Sequence, residues 1–235
     1  MITLITPTRN RSKAFSFLED YISRQTYKGE VEWIVVNDGD EPYKYRMGQT
    51  VVIRSRAFDD PATHSICCNY RAALPLVRGD KVLCVEDDDF YSPSYIQVMS
   101  DALDEFPLVG LAPALYYHVC ARKWRNMKNQ DHASLAATGF TRDVLPIFEQ
   151  ATHVPNMVYL DLWLWAHWKN TLQKPARLMA NDDKKPLQVG LKGLPWGCSG
   201  IGLGHDPQVG QRDSINYTKL KTWLGQDWEK YRWPK

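Results

Sequence analysis

Short apolar strands alternate with amphipathic helices through the first half of the chain, and this alternation restricts the possible folds more than any other feature. Strands and helices in alternation favour a largely parallel sheet with helices packed on its faces. The predicted strands are MITLITPT, EVEWIVVN, TVVIRSR, DKVLCV and LVGLAPALYYHV, and the predicted helices are KAFSFLEDYISRQ, ATHSICCNYRAALPLV and SPSYIQVMSDALDEF. We therefore predict an α/β protein with a mostly parallel central sheet.

The fourth of these strands runs into four consecutive carboxylates, Glu86, Asp87, Asp88 and Asp89. Four like charges at the end of a buried strand repel one another and lose hydration energy. An acidic turn is the simplest alternative, because Asp is common where strands stop, but such a turn needs only one or two of these residues. The run therefore predicts a bound divalent cation, since hard cations prefer carboxylate oxygens.

Polar segments also close the first two strands, TPTRNR after the first and NDGDEP after the second. Loops at the carboxyl ends of parallel strands form the ligand crevice of such sheets. We therefore expect these two segments and the acidic run to lie at one edge and to form one site.

The length, composition and net charge are those of an ordinary globular protein. The chain has 235 residues, of which 44% are hydrophobic, and a formal net charge of +2 that neither requires nor excludes a nucleic-acid partner. No linker or repeat divides it, so a single domain is predicted. It has no run of 18 apolar residues and no signal-peptide pattern at the N-terminus, so we expect no membrane association. Five cysteines without CxxC spacing favour a reduced, cytoplasmic setting.

The strand ends resemble those of the GT-A glycosyltransferases, especially the family 2-like group. Four residues match the Thr-Pro-Thr-like segment that ends the first strand of those enzymes: Thr6, Pro7, Thr8 and Arg9. Asp38 in VVNDG matches the Asp that holds the base or ribose, and Pro93 follows the acidic run at the interval of the family's DxD region. The resemblance covers residues 1–115 well and the remainder loosely.

The resemblance implies a Rossmann-like GT-A fold and the inverting transfer of a sugar from a nucleotide-diphosphate sugar, expected to be a UDP-sugar, to a hydroxyl acceptor. Mn²⁺ or Mg²⁺ would bridge the two phosphates. Because the first acidic position is Glu86 rather than Asp, either Glu86-x-Asp88 or Asp87-x-Asp89 could be the working pair. The family alignment favours the first, with Asp88 as the metal ligand and its neighbours Glu86 and Asp87 on the donor side.

The resemblance also assigns roles in the second half of the chain. His205 would complete the metal shell, and an imidazole ligand favours Mn²⁺. Asp161 interrupts the apolar run VYLDLWLWAHW and would be the base that takes the acceptor's proton; an N-capping or ion-paired Asp is the alternative. Lys192 would hold the departing phosphates as a loop closes, with an exposed loop lysine as the alternative.

Three arginines are further candidates for contacts with the donor. Arg9 and Arg11 could touch the nucleotide or the diphosphate, and surface arginines are the alternative. Arg71 lies with Asn69 on a helix that faces the nucleotide in family members. The resemblance therefore divides one continuous domain into a nucleotide-sugar-binding half, residues 1–115, and an acceptor-binding half, residues 116–235. Seven glycines between residues 190 and 210 predict a long mobile loop in the second half.

The acceptor is the least constrained part of the prediction. Basic residues surround Trp124 and Trp228, a composition that suits a phosphate backbone with stacked bases. Compact transferases of this kind resemble phage-type enzymes that glycosylate hydroxymethylated pyrimidines in DNA, which would work in the host cytoplasm on a base flipped out of the duplex. A glycan acceptor is the alternative, because aromatic faces also suit sugar rings. A nucleotidyltransferase, disfavoured by the lack of a Gly-rich loop after the first strand, and a non-catalytic sugar-nucleotide-binding protein are alternatives of a different class.

Overall fold

Most of the apolar and amphipathic segments become strands and helices as their patterns predict. The computed structural model describes residues 1–57, 59–194 and 210–232. Within them the strands, in chain order, are β1 (Ile2–Thr8), β2 (Val31–Asn37), β3 (Thr50–Ile53), β4 (Lys81–Cys84), β5 (Phe90–Tyr91), β6 (Leu108–Ala112), β7 (Leu115–His118), β8 (Lys123–Asn126), β9 (Thr138–Thr141), β10 (Arg177–Ala180), β11 (Gln188–Lys192) and β12 (Gln211–Arg212). The α-helices are α1 (Ser12–Ser23), α2 (Ser65–Ala73), α3 (Tyr95–Leu103), α4 (Leu145–Thr152), α5 (Leu160–Ala166) and α6 (Thr218–Leu224).

The main sheet has seven strands in the order β10-β6-β9-β4-β1-β2-β3. Four of its six pairings are parallel, and β9 runs antiparallel to both of its neighbours. The prediction of a mostly parallel central sheet flanked by helices is confirmed. All seven residues of β1 are buried, as expected for a central strand covered on both faces.

Successive side chains of the central strands pack into two separate hydrophobic clusters, one on each face of the main sheet. Leu4 and Leu83 belong to the cluster that contains Phe15 and Leu18 of α1. Ile5, next in the chain, belongs to the other cluster, which contains residues of α2, α4 and α5. The period of two along a strand therefore produces the two helix-covered layers of the domain.

A second sheet of five strands, in the order β12-β8-β7-β11-β5, was not expected from the sequence. The predicted strand LVGLAPALYYHV is divided by the cis peptide bond Ala112-Pro113, so that β6 lies in the main sheet and β7 in the second. Most strands of the second sheet are short or lack clear alternation, and these patterns give a weak signal.

The glycine-rich segment is not a loop throughout, and the prediction of a loop from residue 190 is wrong for its first residues. They belong to β11, where Val189 and Leu191 are fully buried. A Cβ on Gly190 would collide with the ring of Tyr116, so this glycine permits close packing between strands rather than mobility. Residues 195–209, with His205 among them, lie outside the described part of the chain.

The tail of the chain forms the helix α6, continued by a 3₁₀ helix over Gly225–Tyr231. The hydroxyls of Tyr231 and Tyr21 are 2.8 Å apart and attach this tail to α1. Because β9 and β10 join strands from the first half in the main sheet, the two halves share one core, and their functional division stays a prediction. Among the helices in the described ranges, none combines the length and apolar character needed to cross a membrane.

Candidate active site

Three strand ends meet at the carboxyl edge of the main sheet. β1 pairs in parallel with β2 on one side and with β4 on the other. The Asp38 amide, just after β2, donates to the Thr8 carbonyl at 3.2 Å. The Thr8 hydroxyl donates to Oδ2 of Asp87, just after β4, at 2.6 Å. The expectation that the polar segments after these strands share one edge is therefore confirmed.

The carboxylates of Glu86, Asp87, Asp88 and Asp89, which we call the acidic cluster, are buried to an unusual degree. Asp87, Asp88 and Asp89 are 1%, 3% and 1% exposed, and Glu86 is partly exposed. One oxygen from each of Glu86, Asp88 and Asp89 lies within 4.8 Å of the others. Carboxylates that lie this close together and are this poorly solvated remain ionised only when positively charged groups lie nearby.

Two members of the acidic cluster are fixed by neutral hydrogen bonds. Asp87 accepts from the Thr8 hydroxyl, and Asp89 accepts from the Gln188 side-chain amide at 2.8 Å and from the Leu191 backbone amide at 3.0 Å. These bonds orient both carboxylates toward the protein. They leave Asp87 and Asp89 less able to turn toward a ligand than their neighbours.

Glu86 and Asp88 differ from them, because the side-chain partners that the structure describes for their carboxylates are the cations Arg11 and Lys192 rather than neutral donors from other strands. Arg11 Nη1 lies 2.8 Å from Asp87 and 3.3 Å from Asp88. Lys192 Nζ lies 3.3 Å from Glu86 and 3.4 Å from Asp88. Of the two possible pairs, Glu86-x-Asp88 is therefore the one whose oxygens are available to an incoming cation.

Lys192 is buried at the end of β11, so the exposed loop lysine considered from the sequence is wrong. Its ammonium also lies 3.4 Å from Asp89, which places it among three carboxylates. Burial would lower the pKa of Lys192, but the charges of Asp88, Asp89 and Glu86 raise this pKa well above its usual value. Lys192 is therefore a protonated cation within the acidic cluster.

Burial and neighbouring charges also act against each other in setting the pKa values of the carboxyl groups. Burial raises the pKa of Asp87 and that of Asp89, although Arg11 acts against it at Asp87 and Lys192 acts against it at Asp89. At Asp88 the effect of burial is outweighed by Lys192 and Arg11, which hold the pKa of this carboxyl below its usual value. Asp88 is thus the buried carboxylate most firmly kept in the ionised form that a metal ligand needs.

Asp161 lies in the first turn of α5, close enough to Glu86 for the charge of that carboxylate to act on it. Burial raises its pKa and the charge of Glu86 raises it further, whereas the Leu162 amide and His132 act in the opposite direction. The neighbouring side chains Tyr159 and Leu162 are apolar and 43% and 42% exposed. Asp161 is therefore a poorly solvated carboxylate, near the acidic cluster, with exposed apolar groups beside it in the chain.

Asp38 is buried and already paired. Arg54 Nη2 lies 3.2 Å and Arg56 Nε 3.6 Å from its Oδ2. Arg54 Nε also donates to the side chain of Asn69 at 2.7 Å. The predicted base- or ribose-binding Asp thus carries two arginines that no sequence pattern had connected with it.

The other predicted donor contacts divide into two groups. Thr8 and Arg11 reach the acidic cluster, whereas Arg9 is exposed. Thr6 accepts a hydrogen bond from the Trp33 indole at 3.0 Å, which is an internal contact.

Two further predicted residues are described without a link to the acidic cluster. Pro7 is buried within β1. In the described part of the chain, Arg71 donates from Nη2 to Cys68 Sγ at 3.7 Å, and its buried Nε has no partner. No contact there connects Arg71 with the acidic cluster, so its role stays a prediction.

The sequence model of Glycosyl transferase family 2 matches residues 3–160, more than half of the chain. The chain belongs to this family. The match includes the ends of β1, β2 and β4 and extends almost to Asp161. The resemblance inferred from the strand ends is therefore confirmed. Comparison with curated protein sequences gives no match.

Solved structures share the fold of this family 2 protein at low sequence identity. S. aureus TarS 1–349 in complex with UDP-GlcNAc has a TM-score of 0.60 at 14% identity, covering 97% of this chain and 69% of that one. S. aureus TarS has a TM-score of 0.56 at 14% identity over 81% of this chain, which spans 36% of the TarS length. The Pyrobaculum calidifontis mannosyltransferase PcManGT in complex with GDP-Man and Mn²⁺ has a TM-score of 0.52 at 15% identity, covering 83% of this chain and 57% of that one. These likenesses confirm the GT-A fold.

The acidic cluster fits the divalent cation that the GT-A fold implies. Its ligands would be carboxylate oxygens, which hard cations prefer, and three of them lie close enough to converge on one ion. The four carboxylates also outnumber the cations Arg11 and Lys192 that contact them, which favours the binding of further positive charge. The position of the Lys192 ammonium shows that the cluster already accommodates one cation.

Some contacts at this site were missed from the sequence. Gln188 fixes Asp89, and the Tyr91 hydroxyl accepts from the Glu86 amide at 2.9 Å. Arg54 and Arg56 approach Asp38. The buried Gln188 between apolar neighbours is a polar interruption that could have been noticed, but nothing in the sequence indicates which carboxylate it meets.

Proposed function

We propose that this family 2 protein is a metal-dependent inverting glycosyltransferase that moves a sugar from a nucleotide-diphosphate sugar to a hydroxyl group. The observation that carries the proposal is the acidic cluster at the carboxyl edge of the parallel strands, where carboxylate oxygens converge and the carboxyl groups outnumber the cations that contact them. A diphosphate and its cation need such a site, whereas a structural turn does not.

The donor would bind across the ends of β1 and β2. Asp38 would accept a hydrogen bond from the base or ribose, and Arg54 and Arg56 supply donors beside it. A uridine diphosphate sugar is the proposed donor, and the UDP-GlcNAc in the TarS complex supports it. A guanosine diphosphate sugar is the donor to test beside it, because the mannosyltransferase structure contains GDP-Man.

Glu86 and Asp88 are the residues proposed to hold Mn²⁺ or Mg²⁺, with Asp89 fixed behind them by Gln188 and Leu191. The bound ion would stabilise the negative charge of the departing diphosphate without the need for a proton. His205 stays a prediction as a further ligand, because it lies outside the described residues.

Asp161 is the proposed general base. It would take the proton of the acceptor hydroxyl as the acceptor oxygen forms its bond to the anomeric carbon and the bond from that carbon to the diphosphate oxygen breaks. The raised pKa of Asp161 makes it a stronger base than an exposed carboxylate.

The acceptor stays a prediction between a hydroxymethylated base in duplex DNA and a glycan. The tryptophans proposed to stack on bases contact the protein itself. Trp124 packs edge-on against Trp223, and Trp228 lies against Tyr217 with the Lys221 ammonium 4.3 Å from its ring. Any DNA binding by these segments would therefore depend on charge more than on stacking.

The proposal is tested by measuring hydrolysis of UDP-GlcNAc, UDP-glucose and GDP-mannose with Mn²⁺, with Mg²⁺ and with EDTA, and then transfer to hydroxymethylated duplex DNA and to oligosaccharides. We expect one nucleotide to be preferred and the release of that nucleotide to stop with EDTA. Turnover in EDTA equal to that in Mn²⁺ would contradict the metal requirement. Absence of hydrolysis and transfer with all donors, together with donor binding, would favour the non-catalytic alternative.

A further inference from the structure

Lys192 shares its ammonium among three carboxylates at nearly equal distances, 3.3 Å from Glu86, 3.4 Å from Asp88 and 3.4 Å from Asp89. A charge-assisted hydrogen bond between an ammonium and a carboxylate is usually about 2.7–2.9 Å long. All three distances exceed that range. Lys192 therefore acts as a point charge at the centre of the group rather than as the fixed partner of any one carboxylate.

These three carboxylates are the same three whose oxygens converge within 4.8 Å as a possible metal site. A Mg²⁺ ion needs oxygen ligands at about 2.0–2.1 Å, well inside the distance at which the ammonium now lies. An ammonium and a divalent cation cannot share these oxygens without strong repulsion in a dry environment. Binding of the ion at this site therefore requires the Lys192 side chain to move away.

Arg11 is placed differently. It lies closest to Asp87, at 2.8 Å, on the side of the cluster that the Thr8 hydroxyl also contacts. Its longer contact reaches Asp88 Oδ2, whereas Lys192 contacts Asp88 Oδ1. Arg11 can remain paired with Asp87 while a cation binds at the other oxygens, so Lys192 is the cation that must be exchanged.

We propose that Lys192 is an exchangeable internal cation: it occupies the acidic cluster in the metal-free protein and is displaced by the divalent ion. This inference rests on the proposed metal site and adds to it a residue that lowers metal affinity while keeping the empty cluster stable. Without a cation there, the carboxylates of Glu86, Asp88 and Asp89 would repel one another or take up protons. The displaced ammonium becomes free at the edge of the same site, where the anionic donor is proposed to bind.

The direct test is a Mn²⁺ titration followed by the electron paramagnetic resonance signal of free Mn²⁺, without donor or turnover. Lys192→Met keeps the length of the side chain and removes its charge. We expect it to bind Mn²⁺ at least about tenfold more tightly than the wild-type protein, because repulsion between an ammonium and a divalent ion this close exceeds the free energy of a tenfold change in affinity. Lys81→Met is the matched control, since Lys81 begins β4 at the opposite end from the acidic cluster and contacts Ser100 and Asp104. Its Mn²⁺ affinity should equal that of the wild type.

Thermal unfolding gives a second measurement. Metal-free Lys192→Met should unfold at a lower temperature than the wild type, and saturating Mn²⁺ should raise its unfolding temperature by more than it raises that of the wild type. A residue that only supports the fold would lower stability without tightening metal binding.

Each outcome separates the exchange from the proposed function. Equal or weaker Mn²⁺ binding by Lys192→Met, with normal binding by the wild type, would overturn the exchange and leave the metal site intact. Absence of Mn²⁺ binding in every form would overturn both. If Lys192→Met does not fold, acetylation of wild-type lysines with and without Mn²⁺, read by mass spectrometry, decides the matter. We expect Mn²⁺ to increase labelling of Lys192 and not of Lys81, and unchanged labelling of Lys192 would overturn the exchange.

Discussion

Two regions of this protein concentrate charged residues, but the structure pairs those charges in different ways. The acidic cluster after β4 packs four carboxylates against two cations. The basic–aromatic cluster, which we define as Trp124, Lys219, Lys221, Trp223 and Trp228, has a partner for each of its charges. Lys219 pairs with Asp183 at 2.8 Å and lies 4.3 Å from the ring of Trp124, and Lys221 lies over Trp228.

The number of partners that the charges have indicates whether a charged segment supports the fold or binds a ligand. Like charges that are balanced by neighbouring groups stabilise a fold and need nothing further. Like charges that are buried with too few partners raise the energy of the folded state, and a ligand of opposite charge relieves that cost when it binds. The acidic cluster is in the second condition and the basic–aromatic cluster is in the first.

The largest effect is expected for Asp88→Asn. Losing a carboxylate ligand should remove the metal's contribution of several kcal/mol, and about 4 kcal/mol corresponds to a loss of about 10³-fold in kcat/KM. Asp87→Asn is the matched substitution within the same cluster, and its loss should be smaller because Asp87 is held by Thr8 and Arg11. Steady-state kinetics with Mn²⁺ would check both. Equal losses would mean that excess charge, rather than available oxygens, determines the role of each carboxylate.

Next in size is Asp161→Asn, which should lower kcat by at least about 10²-fold while leaving donor binding unchanged, because general-base catalysis contributes in that range. Asp143→Asn, at an exposed position in the 3₁₀ turn Arg142–Val144, is the control. A near-normal kcat would place the base elsewhere.

The pH profile gives an independent check on the same residue. A base must be deprotonated, so activity should fall as the pH drops through the pKa of Asp161. Burial and Glu86 raise this pKa, so the acidic limb of kcat should lie above pH 3.8, the ordinary value for Asp. His132 contributes in the opposite direction. The limb should be absent from the residual activity of Asp161→Asn.

The contrast between the two regions also explains what the sequence could and could not predict. The three strand ends were predictable, because apolar runs closed by polar residues mark parallel strands and place their ends at one edge. The acidic run itself indicated a cation. These signals are local, so a single sequence is enough to read them.

Lys192 and Gln188 could not be assigned in the same way. They reach the acidic cluster from β11, about a hundred residues away in the chain, through a second sheet of short strands. The glycines around them indicated a loop, whereas Gly190 is required by packing against Tyr116. The partners of the basic–aromatic cluster depend on equally distant pairings, such as Trp124 with Trp223. The sequence therefore shows where charges are concentrated but not whether they are balanced.

A smaller effect is expected at the exposed apolar side chains beside Asp161. If they, rather than the basic–aromatic cluster, contact the acceptor, Tyr159→Ala should raise the acceptor KM by about 3- to 10-fold, the range expected for losing part of an apolar contact. Donor hydrolysis without acceptor should not change. Ile215→Ala is the control, because Ile215 is an exposed apolar residue outside the proposed site. An unchanged acceptor KM for Tyr159→Ala would favour the basic–aromatic cluster as the surface that contacts the acceptor.

The smallest effect on catalysis is expected within the basic–aromatic cluster. Lys219→Met removes an ion pair with Asp183 and a cation–π contact with Trp124, each worth about 0.5–1 kcal/mol when partly exposed. The free energy of unfolding should fall by about 1 kcal/mol, which lowers the melting temperature by about 2–4 °C for a chain of this size. Donor hydrolysis and transfer should remain within about twofold of the wild type.

The same region gives the test of the DNA acceptor. If DNA is bound there through charge, its affinity should fall steeply with salt, and joint replacement of Arg122, Lys123, Arg125 and Lys128 should flatten that dependence. A glycan acceptor predicts little salt dependence and no response to the joint replacement. Binding to a hydroxymethylated duplex at two salt concentrations separates the two. A steep slope that the replacement removes, with unfolding unaffected, would show that these basic residues serve a ligand.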